Sequence, residues 1–304
     1  MTLAHGASVI TGAPAGPIDL LASDMDGTLL DGDHNISNSV LEAIMKLETS
    51  TRVAMCIATG RSRSSAMKKL QSHGLDWSQK PGVFLNGAVV YGPGGEIVYE
   101  NKFPYQIIKR LIGEFENETD SVVIMPCVGD SIHAPQVCEI SLHLHKEYAD
   151  PFPVQHDGYA GMLEGIQDMS VHMIGIMTKD CRRTEALVFD RVKRLLSEDF
   201  EAPEEFSVVL PIPRMVTIMP RGTSKGAGLL ALCRFLSICP SRVAAVGDAG
   251  NDIEMIQSVG FGVAMGNAKD EVKKHAKFVV NRNDHPELPG VADLINRLVV
   301  SASI

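Results

Sequence analysis

Four short apolar segments, each followed by a polar turn, constrain the fold of this chain more than any other feature. They are residues 18–23, 53–57, 243–246 and 262–264. Short segments that are almost entirely apolar indicate strands buried on both faces of a sheet. Helical patterns lie between them, as at Asn38–Thr49, where Val40, Ile44 and Leu47 share one face. This alternation predicts an α/β fold, a Rossmann-like, doubly wound parallel sheet with helices on both faces.

The pattern changes between residues 104 and 210, where the apolar segments are spaced differently and the strands of the first kind resume only later. We therefore predict a smaller α/β unit at 104–210, inserted into a core formed by 18–103 and 211–304. Residues 1–17 contain no Lys or Arg and are rich in Gly, Ala and Pro. This composition predicts a flexible N-terminal tail.

The predicted insertion contains two helices and at least two strands. The helical patterns are Gln106–Glu116 and Cys181–Leu196, and the strand-like segments are Val122–Met125 and Val171–Met177. Nine of the 28 basic residues of the chain lie in the insertion, against nineteen of its 37 acidic residues. The insertion is thus strongly acidic, which should repel polyanions at long range.

Composition and charge exclude several classes of protein. With 304 residues and 45% hydrophobic content, the chain can bury a large core. No apolar run reaches the ~18 residues of a membrane span, and the N-terminus does not resemble a signal peptide. The six cysteines form no Cys-x-x-Cys pair, which favours reduced thiols and a cytoplasmic location. A net charge of −9 disfavours binding to nucleic acids or anionic membranes. Oligomeric state is not readable from these features.

Polar clusters directly follow three of the predicted strands. They are Asp24 with Asp26, the turn Thr59-Gly60-Arg61, and the segment 247–252, which contains Asp248, Asn251 and Asp252. Because the carboxyl ends of parallel strands line the crevice of an open sheet, we expect these clusters to meet there. Carboxylates brought together repel one another unless a cation is present, and oxygen ligands suit a hard ion. The sequence therefore predicts a Mg²⁺ site.

These residues also suit phosphoryl transfer. A carboxylate such as Asp24 can attack phosphorus and form an aspartyl-phosphate, while Asp26 can protonate the leaving oxygen and later deprotonate water. Thr59 adds a hydroxyl donor beside the helix that begins near Gly60. Lys225 lies at the predicted start of a helix, where a cation opposes the macrodipole unless an anion is close. We interpret Lys225 as a ligand of phosphate or of a carboxylate.

Each cluster taken alone has a structural explanation. Alone, an Asp-x-Asp-Gly segment is about as often a simple turn or a calcium-like loop as a catalytic motif. A Thr-Gly-Arg turn commonly connects a strand to a helix, with Thr as the helix cap. Lys225 alone would usually be a solvated surface residue. The order of the clusters along the chain is what favours a catalytic interpretation.

That order resembles the haloacid dehalogenase superfamily of phosphotransferases, and more narrowly its Cof-type phosphatases. Further similar motifs are Asn86-Gly87-Ala88, the string 262–268, Asn283-Asp284 and Gly290-Val291. The resemblance runs from about Leu20 to the C-terminus, and it is specific in the core and weak in the insertion. It implies that the insertion is a mobile α/β cap that closes over the site and selects the substrate.

The resemblance also implies a role for each core residue. Asp24 would be the nucleophile and Asp26 the general acid and base. Mg²⁺ would be held by Asp24, the backbone carbonyl of Asp26, and Asp248, with Asp252 orienting a metal-bound water. The phosphoryl group would be held by Thr59, Gly60, Lys225 and Asn251.

The candidates for substrate contacts lie outside the core motifs or at their edges. They are Arg61, Asn86, Asp130 and His133. The last two lie in Val128–His133, where polar residues interrupt a strand-like pattern. His143 and His145 would lie on one side of a strand, but without a third ligand we interpret them as structural or surface residues.

Three functions are compatible with these residues. The first is a Mg²⁺-dependent phosphatase that acts on a small phosphorylated metabolite, such as a sugar phosphate, a nucleotide or a phosphorylated cofactor. The second is a sugar phosphomutase of the same superfamily, in which the phosphoryl group passes to a sugar hydroxyl instead of water. The third is a non-catalytic protein that binds metabolites or a partner, against which the intact Asp24, Asp26, Lys225 and Asp248 argue.

Overall fold

The computed structural model describes residues 16–148, 150–180, 182, 184–198, 206–210 and 212–302. The predicted tail at 1–17 therefore lies almost wholly outside the described residues. These residues form two sheets with their own helices. No helix among them is both long and apolar enough to cross a membrane.

The larger sheet contains the predicted core strands. They are β1 (Leu20–Ser23), β2 (Ala54–Ala58), β3 (Gly82–Phe84), β4 (Val89–Tyr91), β5 (Ile97–Glu100), β12 (Val243–Gly247), β13 (Phe261–Ala264) and β14 (Phe278–Val279). Their order is β14-β13-β12-β1-β2-β3-β4-β5. The strands from β14 to β3 are parallel, while β4 and β5 form an antiparallel hairpin at one edge. The predicted parallel sheet is confirmed, and the edge hairpin is an addition.

Helices cover both faces of this sheet. They are α1 (Asn38–Ser50), α2 (Arg63–Gln71), α7 (Lys225–Leu236), α8 (Ile253–Gln257), α9 (Asp270–His275) and α10 (Gly290–Ala302). Leu21 of β1 belongs to the apolar cluster that includes α1, α2 and α10, whereas Leu20 and Ala22 belong to the cluster with α7 and α8. Because successive strand residues point to opposite faces, β1, which is apolar at residues 20–22, is buried on both sides.

The second sheet and its helices form a separate unit, which we call the cap. Its strands are β6 (Val122–Val128), β7 (Ser131–Ala134), β8 (Val154–Gln155), β9 (Met173–Thr178), β10 (Phe206–Val209) and β11 (Met215–Pro220), in the order β10-β11-β9-β6-β7-β8. Its helices are α3 (Tyr105–Phe115), α4 (His143–Tyr148), α5 (Gly158–Ile166) and α6 (Phe189–Glu198). The helices α3, α5 and α6 cover one face of the sheet, where Ile124, Ile174 and Ile218 are buried.

The cap differs from its predicted outline in three places. Strand β11 pairs with β9 and β10, so the predicted boundary at residue 210 falls inside the cap sheet. Proline residues interrupt the chain just before β11 and give the impression of a linker. His143 and His145 lie in α4, so the predicted strand there is wrong. The predicted helix at 181–196 contains a π-helical turn at Thr184–Val188, and Cys181 lies outside the described residues.

Candidate active site

The turn after β1 places Asp24 and Asp26 at the carboxyl edge of the sheet. The backbone N–H of Asp24 donates to the carbonyl of Val246 in the neighbouring β12. Gly27 follows with a φ of +81°, and a Cβ there would lie 2.6 Å from Oδ2 of Asp248. Only glycine combines this conformation with this approach, so the turn brings the β1 and β12 loops together. The hydroxyl of Thr28 then donates to Asp248 Oδ1 at 3.1 Å.

Three carboxylates meet at this edge. One oxygen from each of Asp24, Asp248 and Asp252 lies within 4.8 Å of the others. Nζ of Lys225 lies 2.5 Å from Asp24 Oδ1 and 2.7 Å from Asp252 Oδ1. Asp252 Oδ2 accepts the backbone N–H groups of Asp248 and Ala249. Asp252 thus has a partner on each oxygen, and it fixes both the lysine and the β12 loop.

The charges at this edge are not fully balanced. Burial raises the pKa of Asp24, the nearby Asp252 raises it further, and Lys225 only partly offsets both. Burial and Asp252 also raise the pKa of Asp248. Burial acts to lower the pKa of Lys225, but Asp24 and Asp252 outweigh it and hold that pKa above its usual range. An oxygen-only donor set with such excess negative charge fits a divalent cation held by Asp24 and Asp248.

Asp26 lies beside two basic groups. Arg61 binds it bidentately, with Nε 2.7 Å from Oδ2 and Nη2 2.6 Å from Oδ1. Nδ1 of His34 lies 3.3 Å from the same Oδ1. Burial acts to raise the pKa of Asp26, but the hydrogen bonds and charge of Arg61 outweigh it and lower the pKa. Arg61, predicted as a substrate contact, is therefore an ion-pair partner of the predicted acid and base.

A second polar group surrounds the end of β2. The N–H of Asn86 donates to the carbonyl of Thr59, and Nδ2 of Asn251 lies 2.9 Å from Oδ1 of Asn86. A Cβ at Gly60 would lie 3.1 Å from the Asn86 amide. A Cβ at Gly87 would overlap the carbonyl of Ser224, the N-cap of α7. The Asn86-Gly87 turn therefore packs against the helix that presents Lys225.

The predicted cap residues lie elsewhere. Asp130 Oδ1 accepts the backbone N–H of Ser64 in α2 at 2.7 Å, so its carboxylate contacts the core. His133 is buried inside the cap, where its Nδ1 lies 2.9 Å from Nε2 of His156. Among the described residues, neither side chain forms a hydrogen bond with Asp24 or Asp26. The carbonyl of Tyr148, at the end of α4, instead accepts from Nη1 of Arg61 at 3.3 Å.

Two residues of the site were missed in the sequence. His34 has a φ of +59° in a turn built on Asp31, whose Oδ1 accepts the N–H groups of Asp33 and Asn35. The segment Asp-Gly-Asp-His at 31–34 is typical of a turn, but it does not indicate the direction of the His34 imidazole. Asp150 follows α4 and lies near Arg61, and burial raises the pKa of its carboxyl group. No motif surrounds Asp150.

The model of the haloacid dehalogenase-like hydrolase family matches residues 21–295, which include every residue of this site. The chain belongs to this family. Among its relatives is the 5-amino-6-(5-phospho-D-ribitylamino)uracil phosphatase YitU of Bacillus subtilis, 27% identical over 87% of this chain and 93% of the relative. This family member is also 30% identical to the chloroplastic endoribonuclease YBEY of Arabidopsis thaliana, and the match covers 90% of the chain described here. It spans only 45% of that longer plant protein.

The fold of this hydrolase is shared with proteins of known structure. The crystal structure of TM0651 from Thermotoga maritima superposes with a TM-score of 0.77. The two chains are 23% identical, and the comparison covers 92% of this chain and 97% of the other. At this identity the likeness establishes the fold, and the chemistry depends on the residues of the site itself.

Proposed function

We propose that this family member is a Mg²⁺-dependent phosphatase that hydrolyses small phosphate monoesters through a phosphoaspartyl intermediate on Asp24. The observation that carries the proposal is the meeting of Asp24, Lys225 and Asp248 at the carboxyl edge of the sheet. They supply a nucleophile, a fixed cation and a second oxygen ligand for a metal ion. A bound Mg²⁺ would neutralise charge on the transferring phosphoryl group.

In the first step, a carboxylate oxygen of Asp24 forms a bond to phosphorus as the bond from phosphorus to the leaving oxygen breaks. Lys225 stabilises the negative charge beside Asp24, and Thr59, Gly60 and Asn251 face the phosphoryl group. Asp26 in its protonated form gives its proton to the leaving oxygen. In the second step, Asp26 accepts a proton from water as the water oxygen attacks phosphorus and releases Asp24.

The ion pair with Arg61 sets a condition on this mechanism. Arg61 favours the charged form of Asp26, so Asp26 can act as an acid only after the arginine moves toward the substrate or is neutralised by it. A phosphate or another anionic group of the substrate would compete for the guanidinium. Arg61 therefore stays our candidate for substrate contact, together with Asn86 and the cap residues Tyr148 and Asp150 that approach it.

We propose a small cytoplasmic metabolite as substrate. The acidic cap disfavours polyanions such as nucleic acids. YitU is named for a phosphorylated ribityl compound that carries an aminopyrimidine ring. We propose that this chain acts on a substrate of that kind, a monophosphate of a sugar, a nucleoside or a cofactor precursor.

The test is a screen of phosphate release from metabolite monophosphates, with and without Mg²⁺. We expect Mg²⁺-dependent release that falls at least about 10³-fold in Asp24→Asn, because the nucleophile is lost. Asp33→Asn is the matched control, since this exposed carboxyl group lies in the same loop. Full activity in Asp24→Asn would exclude the phosphoaspartyl mechanism. An isomerised sugar phosphate without free phosphate would show a mutase instead.

A further inference from the structure

The turn between β6 and β7 joins the cap to the core. Asp130 Oδ1 accepts the N–H of Ser64 at 2.7 Å, and the Ser64 hydroxyl donates to the Asp130 carbonyl at 3.4 Å. Ser64 lies in the first turn of α2, where the N–H groups have no partner within the helix. A carboxylate is stabilised there both by the hydrogen bond and by the helix dipole. Asp130 thus acts as a capping group supplied by another unit of the protein.

The turn is also held from the cap side. The N–H of Gly129 donates to Nδ1 of His172 at 3.0 Å, and Nε2 of His172 lies 3.0 Å from Oε2 of Glu100, at the end of core strand β5. Burial lowers the pKa of His172, against the opposing effect of Glu100. A neutral His172 with its proton on Nε2 satisfies both contacts. The imidazole therefore ties the turn to the strand from which the chain enters the cap.

Helix α2 connects this contact to the site. The same loop that begins α2 carries Thr59 and Arg61, and Arg61 donates to the Tyr148 carbonyl of the cap. Ser62, the N-cap of α2, already accepts the N–H of Ser65, which leaves the Ser64 N–H for the cap. Two separate parts of the cap, at Asp130 and at Tyr148, thus contact residues 61–64 of the core. That segment also holds the phosphate-binding and ion-pairing residues of the site.

We infer that Asp130 is a positioning residue, which holds the cap closed over the site by capping the first turn of α2. From the sequence, Asp130 was a candidate substrate contact. In the structure, where the cap contacts the core, its carboxylate instead accepts the N–H of Ser64. Opening of the cap breaks this hydrogen bond and exposes the α2 amides. Closing restores it and fixes the loop that carries Thr59 and Arg61. The effect on catalysis rests on the proposed phosphatase function, whereas the effect on closure does not.

Hydrogen exchange of the full chain tests closure directly. In Asp130→Ala we expect amides of residues 61–70 and 126–134 to exchange about 5- to 30-fold faster, the range for loss of a capping contact. Amides of α10, far from this turn, should keep their wild-type rates. Asp130→Asn keeps an oxygen acceptor for the Ser64 N–H and should restore most of the protection. Asp120→Ala, at an exposed acidic residue of the cap, is the control and should change neither segment.

Kinetics provide a second readout. Asp130 does not touch the reacting atoms, so Asp130→Ala should raise KM several-fold and change kcat less, with partial recovery in Asp130→Asn. Unchanged exchange in both segments would overturn the inference, and so would equal acceleration that includes α10. If no phosphate ester is hydrolysed but the exchange pattern appears, the positioning role stands and the proposed function fails.

Discussion

Nζ of Lys225 lies 2.5 Å from Oδ1 of Asp24, and both side chains are almost completely buried. Lys225→Met would leave the carboxylates of Asp24 and Asp252 without their shared cation. We expect the free energy of unfolding to fall by about 3–5 kcal/mol, the usual cost of removing one partner of a buried ion pair. Urea denaturation measures it. Lys68→Met, at an exposed lysine of α2, is the matched control, and an equally small loss in both variants would contradict the prediction.

Arg61 should make the stability of the protein depend on pH through Asp26. The folded-state pKa of Asp26 lies below its unfolded value, so its contribution is present above the unfolded pKa and is lost as the pH falls through the folded pKa. Arg61→Gln removes this contribution. We expect the variant to be less stable than wild type near neutral pH, by roughly 1 kcal/mol because Asp26 is partly exposed, and the difference to shrink in acid.

Unfolding free energies from about pH 6 down to about pH 3 check this dependence. The matched control is Arg52→Gln, which changes an exposed arginine of the core. A difference between wild type and Arg61→Gln that stays constant over this range would show that the arginine does not act through Asp26.

The position of the core site at one edge of the sheet could be predicted from the sequence, because the order of the strands determines which loops are neighbours. Strand β1 lies between β2 and β12, so residues directly after these strands are neighbours at one edge of the sheet. Asp24, Thr59 and Asp248 each occupy such a position. A role for Lys225 as a ligand of phosphate or of a carboxylate was predicted from its place at the start of a helix. In the structure, its Nζ donates to the carboxylate of Asp24.

The remaining features depend on geometry that local sequence does not encode. The direction of His34 follows from a left-handed backbone conformation, and the approach of Asp150 to Arg61 follows from the packing of the cap on the core. His143 and His145 alternate with apolar residues as in a strand, yet they lie in a helix of six residues. Such short elements are decided by tertiary packing more than by periodicity.

A divalent cation should stabilise the folded protein through Asp248. Its carboxylate lies at the open side of the cluster, and burial and Asp252 raise its pKa. A saturating concentration of Mg²⁺, about 100 times Kd, should add about 2.7 kcal/mol to the free energy of unfolding. In Asp248→Asn we expect most of this gain to disappear, together with Mg²⁺-dependent phosphate release.

Thermal or urea unfolding at increasing Mg²⁺ concentrations gives this measurement without any substrate. Asp270→Asn, an exposed carboxyl group at the start of α9, should keep the full gain. Equal stabilisation of wild type and Asp248→Asn would place the cation elsewhere.

Thr217 should be replaceable by valine with a gain in stability. It is 2% exposed in β11, and its hydroxyl oxygen has no hydrogen-bond partner among the described residues. A buried, unpaired hydroxyl group costs free energy, so Thr217→Val should raise the free energy of unfolding by up to about 1 kcal/mol.

Thr178 provides the matched control on the neighbouring β9, because it is equally buried but its hydroxyl donates to the Asp180 carbonyl at 2.8 Å. Thr178→Val should therefore lower stability by about 1 kcal/mol, and urea denaturation of both variants should give shifts of opposite sign. A loss in Thr217→Val as large as that in Thr178→Val would mean that the hydroxyl of Thr217 is paired in solution.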